Sequence, residues 1–201
     1  MKILRLVSSF RGTASLSFQL GNAIIEKIKT ANLDTEVAIM NLAKNELPHL
    51  NDIHFTSFST SPSELSDDQM HAITISNNSI KELLAADILV IDVPMYNFNI
   101  PSSLKAWIDH VVRAGVTFSY TENGVEGLVK DKKVFLAIAS GGVYSEGPMK
   151  EFDVTEKYLR NILGFIGITD VTTFRVEGSA IPALKETALP KALHSVAAYS
   201  F

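Results

Sequence analysis

The 201-residue sequence contains no cysteine. This absence excludes disulfide bonds, Cys-ligated zinc, Cys-ligated iron–sulfur clusters, thiol nucleophiles and dithiol redox motifs. Any chemistry must therefore use other side chains, the backbone or a bound cofactor. A hydrophobic fraction of 46% with 20% charged residues is typical of a globular protein.

Long apolar segments are also missing. A membrane span needs roughly 18–20 apolar residues, and a signal peptide needs an uninterrupted run of roughly 7–15. Arg5 interrupts the only apolar run near the start of the chain. We therefore expect a cytoplasmic protein with no membrane partner. The net charge of −4 lacks the basic excess that nucleic-acid binding requires, so we expect no nucleic-acid partner.

Several catalytic and binding motifs do not occur. The sequence has no Gly-Lys-Ser/Thr of a Walker A loop, no Gly-x-Gly-x-x-Gly and no Gly-x-Ser-x-Gly. None of the five histidines forms an i, i+4 pair with a carboxylate partner, so we predict no metal site and solvated or helix-surface histidines. ATP hydrolysis, Rossmann-type pyrophosphate binding and serine hydrolysis are disfavoured.

Short apolar runs alternate with helical patterns along the chain. Strands are predicted at residues 3–7, 34–41, 88–94, 134–139 and 171–176, and helices at 15–30, 66–86, 101–112, 154–163 and from about 181. Residues 42–64 are predicted to be irregular, and Asn123-Gly124 predicts a tight turn between 117–120 and 127–129.

This order predicts one α/β domain over residues 1–201, with a doubly wound five-stranded parallel sheet and helices on both faces. Such sheets bind ligands beyond the carboxyl ends of the strands, where the strand order switches. The loops expected there are residues 8–17, 94–100 and 140–144.

The first of these loops is rich in hydroxyl groups and opens a helix. Ser9, Ser15 and Ser17, together with the charge of Arg11, are suited to wrap a single phosphate at the helix N-terminus. The alternative is that Ser15 serves only as a helix N-cap, which is a common role for serine.

The other two loops suit a flat ligand. Residues 95–98 (Met-Tyr-Asn-Phe) offer an aromatic wall and amide partners, and residues 140–142 (Ser-Gly-Gly) allow the backbone to approach a ligand closely. Alternatively, Met95 and Phe98 simply cap the core. One phosphate site and one planar-ring site together describe a mononucleotide such as FMN.

Four motifs carry a family resemblance. They are residues 94–101 (PMYNFNIP), 113–118 (RAGVTF), 120–124 (YTENG) and 163–170 (LGFIGITD). In this order the motifs resemble the bacterial FMN-dependent NADH-azoreductase and NAD(P)H:quinone oxidoreductase family, which has a flavodoxin-like fold. The resemblance runs from residue 1 to about residue 178 and is most specific through 94–128.

The resemblance implies particular contacts. FMN would be held through its phosphate by Ser9, Ser15, Leu16 and Ser17, and through its ring by Met95, Tyr96, Asn97, Phe98, Ser140, Gly141 and Gly142. Tyr120 and Phe165 are candidates for an apolar substrate wall, although Phe165 is equally suited to the core. The family loop usually reads Ser-Arg-Gly-Gly, whereas this chain has Ala139-Ser140 before the two glycines.

The implied activity is a two-electron, ping-pong transfer from NADH or NADPH to quinones or azo compounds. The flavin carries the hydride, so no catalytic side chain is expected. The resemblance also implies a homodimer in which the partner chain completes each site. Two alternatives share the fold: a flavodoxin-like electron carrier without direct NAD(P)H turnover, and a nucleotide-sensing module without turnover.

Overall fold

The computed structural model describes residues 1–201 and contains seven strands and six helices. The strands are β1 (Lys2–Val7), β2 (Glu36–Asn41), β3 (Ile88–Pro94), β4 (Phe118–Thr121), β5 (Gly124–Gly127), β6 (Lys133–Ala139) and β7 (Asp170–Val176). The helices are α1 (Leu16–Ala31), α2 (Asp52–Ser59), α3 (Asp67–Ala85), α4 (Ser102–Val111), α5 (Val154–Phe165) and α6 (Lys185–Ala198). None of them combines the length and apolar character needed to cross a bilayer.

Five strands form one parallel sheet in the order β2-β1-β3-β6-β7. The chain starts in the middle of the sheet, runs to one edge and then returns past β1 to the other edge. This is the flavodoxin-like order, and its switch point lies between β1 and β3. The predicted fold class, a doubly wound five-stranded parallel sheet, is confirmed.

Helices cover both faces of the sheet, which explains the continuous apolar runs of the central strands. Residues of α3, α4 and α5 pack on one face around Trp107, which is 1% exposed. Residues of α1 and α6 pack on the other face around Ile24 and Phe135, which are fully buried. The strand ends at the switch point are therefore held by two separate cores.

The segment 42–64 departs from its predicted irregular structure because it contains α2. Polar side chains obscure the helical pattern, but Asn51 and His54 form a reciprocal capping box at its start. The ring of His54 packs edge-on against His110 at 5.2 Å, and His110 Nε2 lies 2.9 Å from the Pro48 carbonyl. The predicted surface position is wrong for these two histidines, since both are buried.

Two boundaries also differ from the predicted ones. The second strand of the hairpin is Gly124–Gly127 instead of 127–129, because Gly124 pairs directly with Thr121 across the turn. The last helix begins at Lys185 instead of about 181, because residues 178–184 form successive turns before it.

Helix α1 approaches the sheet most closely at Gly21. A Cβ atom built on Gly21 would lie 1.9 Å from Asp92 Oδ1 and 3.1 Å from Arg5 Nη2. Asp92 and Arg5 form a buried ion pair with an N–O distance of 2.8 Å. Only glycine leaves room for this pair beneath the helix.

We expect Gly21→Ala to lower the free energy of unfolding by about 3 kcal/mol, because the methyl group must displace a buried ion pair. Urea denaturation followed by far-UV circular dichroism measures the change. Gly164→Ala in α5 is the matched control, since its Cβ would meet nothing within 4 Å. The control should be neutral or stabilising by up to about 1 kcal/mol; equal destabilisation by both changes would contradict the assigned contact.

Candidate functional site

A cleft of about 240 Å³ lies beyond the carboxyl ends of β1, β3 and β6. Its walls come from all three loops expected at the switch point. The lining residues are Ser9, Arg11, Ser15, Leu16, Pro94, Met95, Tyr96, Ala139, Ser140, Gly141 and Ser179. Seven of the eleven predicted cofactor contacts are therefore brought together in one place.

The other four predicted contacts adjoin the cleft without lining it. Ser17 is fully buried behind Ser15, while Asn97 and Phe98 occupy the exposed tip of their loop and Gly142 directly follows Gly141.

Ser179 lines the cleft but was not predicted from the sequence. It follows β7, and only the hydrogen bonds between the loops after β6 and β7 bring it to the cleft.

The start of α1 provides unused hydrogen-bond donors. Ser15 stands at the N-cap position, but its hydroxyl bonds to the Ser17 hydroxyl at 2.9 Å instead of capping the helix. The amides of Leu16, Ser17 and Phe18 donate to no protein acceptor. The interpretation of Ser15 as a simple N-cap is therefore wrong, and the helix end offers donors and a positive dipole to an anion.

Two further groups extend this donor set. Ser9 is 2% exposed, and its Oγ accepts the Arg11 amide at 3.3 Å and lies 3.5 Å from the Tyr96 hydroxyl. The exposed Arg11 guanidinium forms no ion pair within the chain. A single phosphate group would thus meet amides, hydroxyls and one free positive charge, which is the chemistry that a phosphate monoester requires.

The loop after β3 is a tight turn in an unusual backbone conformation. Asn97 and Phe98 have φ values of 50° and 66°, and the backbone groups of Tyr96 and Asn99 bond to each other at 2.9 and 3.0 Å. Such strain in residues other than glycine concentrates at ligand-binding sites. The Phe98 ring is 45% exposed, so the alternative that it caps the core is wrong.

The loop after β6 uses its carbonyl groups in hydrogen bonds to the loop after β7 and leaves its amides free. The carbonyls of Ser140, Gly141 and Gly142 accept from amides of residues 178–180 at 2.9–3.3 Å. The amides of Gly141, Gly142 and Val143 have no protein acceptor. Free amides next to an aromatic wall suit the carbonyl oxygens and ring nitrogens at the edge of a flavin.

Both glycines in this loop are closely packed. A Cβ on Gly141 would lie 3.2 Å from the Ala180 Cβ, and one on Gly142 would lie 3.1 Å from the Tyr144 ring. The Ser140 hydroxyl donates to the Gly142 carbonyl at 2.9 Å and so closes the turn. Taken together, the donors at the two ends of the cleft fit the phosphate and the ring edge of FMN.

The two predicted substrate-wall residues lie away from this cleft. Tyr120 on β4 is 75% exposed, and Phe165 at the end of α5 is half-buried. Both rings pack against Phe118, at 5.5 and 4.6 Å between centroids. With Phe118 they form one aromatic cluster between the hairpin and the end of α5, and neither contributes to the cleft of the same chain.

The buried carboxyl of Asp92 lies just beneath the cleft. Burial raises the pKa of Asp92 to about 7, against the opposing effect of the Arg5 charge. Its Oδ1 has no hydrogen-bond partner, while its backbone carbonyl accepts the Ser8 hydroxyl at 2.6 Å. Asp92 thus supports the floor of the site and has no access to a ligand in the cleft.

A family model described as a flavodoxin-like fold matches residues 1–199. The chain belongs to this family. The family description agrees with the strand order of the sheet.

Two relatives of this chain carry the name of an enzyme activity. The FMN-dependent NADH:quinone oxidoreductase of Herminiimonas arsenicoxydans is 47% identical over 182 residues, which cover 90% of this chain and 89% of the relative. The protein of the same name from Beijerinckia indica subsp. indica is 44% identical over 196 residues, covering 98% of this chain and 97% of the relative. The resemblance drawn from residues 94–101 and the three later motifs is confirmed.

Solved structures agree with the fold. The azoreductase from Bacillus anthracis strain Sterne has a TM-score of 0.91 at 32% identity, covering 98% of this chain and 97% of that one. An FMN-dependent NADH-azoreductase from Bacillus anthracis strain Ames Ancestor, in complex with FMN, has a TM-score of 0.84 at 24% identity and covers 98% of each chain. At that identity the second likeness concerns the fold alone.

We expect Asn97→Gly to weaken FMN binding about tenfold, because it removes the side-chain hydrogen bond that Asn97 is predicted to make at the ring. Glycine keeps the left-handed backbone, whereas Asn97→Ala should also lower stability by about 1 kcal/mol. Flavin fluorescence on titration of apoprotein measures the dissociation constant.

The matched control for this comparison is Asn32→Ala, which removes an exposed amide just after the C-terminal end of α1. Its FMN dissociation constant should equal that of the parent protein. An Asn97→Gly constant within twofold of this control would refute the ring contact.

Proposed function

We propose that the protein is an FMN-dependent oxidoreductase that transfers two electrons from NADH or NADPH to quinones and azo compounds. The proposal rests on one observation: unpaired donors at both ends of a cleft at the β1/β3 switch point match the phosphate and the ring edge of FMN. The names of relatives 44–47% identical to this chain suggest NADH as the donor and quinones as acceptors, and the azoreductase 32% identical to it suggests azo compounds.

The proposed cofactor contacts divide between the two ends of the cleft. Ser9, Arg11 and residues 15–17 would bind the phosphate, and residues 95–98 and 140–142 would bind the ring. The whole chain, residues 1–201, would act as one FMN-binding domain. Bound FMN supplies the acceptor and donor of a hydride, a reaction for which protein side chains have no equivalent.

The cleft contains no obvious acid or base. Among its lining residues only Arg11 and Tyr96 are ionisable, and no carboxylate, imidazole or lysine is present. The chain would therefore bind and orient the reactants, and protons would come from water. A single open cleft would bind the electron donor first and the electron acceptor only after the oxidised donor has left. This order of binding is a ping-pong mechanism.

A homodimer would supply the missing wall of the substrate pocket. The aromatic cluster of Phe118, Tyr120 and Phe165 lies outside the cleft of its own chain, with Tyr120 75% exposed. The Phe10 ring at the cleft mouth is also 75% exposed and stacks on Tyr96 at 5.0 Å. We propose that the hairpin of one chain covers the cleft of the other.

Anaerobic titration tests the activity. The purified, FMN-loaded protein should lose its absorbance near 450 nm with one equivalent of NADH or NADPH and regain it with one equivalent of a quinone or an azo dye. Parallel lines in double-reciprocal plots should identify the ping-pong order.

A flavodoxin-like electron carrier would behave differently in the same titration. It would accept single electrons from a chemical reductant and would not react directly with either nicotinamide. That outcome would replace the enzyme proposal with the carrier. A protein that binds no FMN at all would contradict both.

We expect sedimentation velocity to give twice the 22.0 kDa chain mass. Tyr120→Ala should raise the KM for a quinone about tenfold while FMN affinity stays the same, because the ring covers the partner's cleft and does not touch the cofactor's phosphate. The control is Leu33→Ala, which removes an apolar side chain that is 91% exposed at the opposite edge of the sheet. A monomer, or equal KM values for both variants, would refute the shared site.

A further inference from the structure

The segment from Val143 to Glu146 lies beside the proposed ring site, but its backbone makes no hydrogen bond to any other backbone group. The hydrogen bonds that hold it go to the carboxylate of Glu177, directly after β7. Glu177 Oε1 accepts the amides of Tyr144 and Ser145 at 2.8 and 2.9 Å, and Oε2 accepts the Ser145 hydroxyl at 2.5 Å. One side chain therefore receives all three hydrogen bonds by which this segment is held to the rest of the chain.

Glu177 is itself held in place by charge. Its Oε1 lies 3.4 Å from Arg175 Nη1, and both side chains are 13% exposed. Arg175 also pairs with Asp153 and Glu156 at the start of α5. Burial alone would lower the pKa of Arg175, but the surrounding carboxylates outweigh it and raise that pKa, so the guanidinium stays charged. Through Arg175, these ion pairs connect Glu177, and with it the Val143–Glu146 segment, to β7 and to the start of α5.

The side chain that this anchor places is Tyr144. Its ring lies against Gly142, where an added Cβ would approach it to 3.1 Å, and it meets the Phe98 ring edge-on at 6.1 Å. Phe98 in turn packs against Phe152 at 5.5 Å. Tyr144 thereby joins the loop after β3 to the loop after β6, and both loops border the cleft.

We propose that Glu177 is a positioning residue that holds the Tyr144 ring as a fixed wall for flat aromatic acceptors. This inference rests on the proposed function and adds a determinant of acceptor specificity to it. A rigid aromatic wall favours planar rings such as quinones, because a planar ring can pack face-on or edge-on against it. The wall is already formed in the free protein, so little ordering cost remains when the acceptor binds.

Glu177→Ala tests the role of the anchor. The KM for a quinone should rise about tenfold while kcat stays within about twofold, since the chemistry of the cofactor is unaffected. Tyr144→Ala should give the same change, and Tyr144→Phe should behave as the parent protein because the ring alone is used.

The double variant Glu177→Ala/Tyr144→Ala distinguishes positioning from general stability. If Glu177 acts through Tyr144, its loss has no further effect on KM once the ring is gone. Additive effects in the double variant would overturn the proposal. The control is Glu146→Ala, an exposed carboxylate of the same segment with no hydrogen bond, which should leave KM unchanged.

A second measurement does not depend on activity. In the FMN-loaded protein, hydrogen–deuterium exchange at the Tyr144 and Ser145 amides should be several-fold faster in Glu177→Ala than in Glu146→Ala, because these amides lose their acceptor. Equal exchange rates would overturn the positioning role. If NADH fails to reduce the parent protein, the proposed function fails, and the exchange measurement still decides whether Glu177 holds the segment.

Discussion

The buried pair of Arg5 in β1 and Asp92 in β3 joins the two strands at the switch point to helix α1. The guanidinium lies 2.8 Å from the carboxylate and also donates to the Phe18 carbonyl at 2.7 Å and to Asn22 at 2.5 Å, both in α1. Removing one partner of such a pair costs about 3–5 kcal/mol, because the other charge is left buried. Gly21 in α1 has no side chain and so leaves room for this pair between the helix and the sheet. This contact adds to the backbone ladder between β1 and β3 and ties both strands to the helix above them.

The site follows from that arrangement. With α1 held against β1 and β3, its unpaired first-turn amides point beyond the strand ends, where the loops after β3 and β6 meet them. The start of α1 and the loop after β6 leave hydrogen-bond donors unpaired for different reasons. The hydroxyl of Ser15 bonds to Ser17 instead of capping the helix, and the loop after β6 ties its carbonyls to residues 178–180. The chain therefore maintains a cleft with many donors and no carboxylate, imidazole or lysine among its lining residues.

The strands and the cleft loops were predictable because their signals are local. An apolar run such as residues 88–94 is typical of a strand that is buried on both faces of a parallel sheet. The order of the strands then determines which loops lie next to each other at the switch point. Helix α2 was missed because its polar residues hide any periodicity, and its docking depends on His54 meeting His110, 56 positions away. Ser179 and Glu177 were missed for a related reason: nothing near them in the sequence indicates that they bond to residues 140–145.

The sequence by itself determined the sheet, its order of elements, the absence of thiol chemistry and the family, since these depend on composition, periodicity and contiguous motifs. Tertiary structure alone decided which donors remain unpaired, which histidines are buried and which carboxylate anchors Tyr144. Those properties depend on contacts between residues far apart in the chain, and a hydrogen bond or a buried charge is defined only once both partners have been placed.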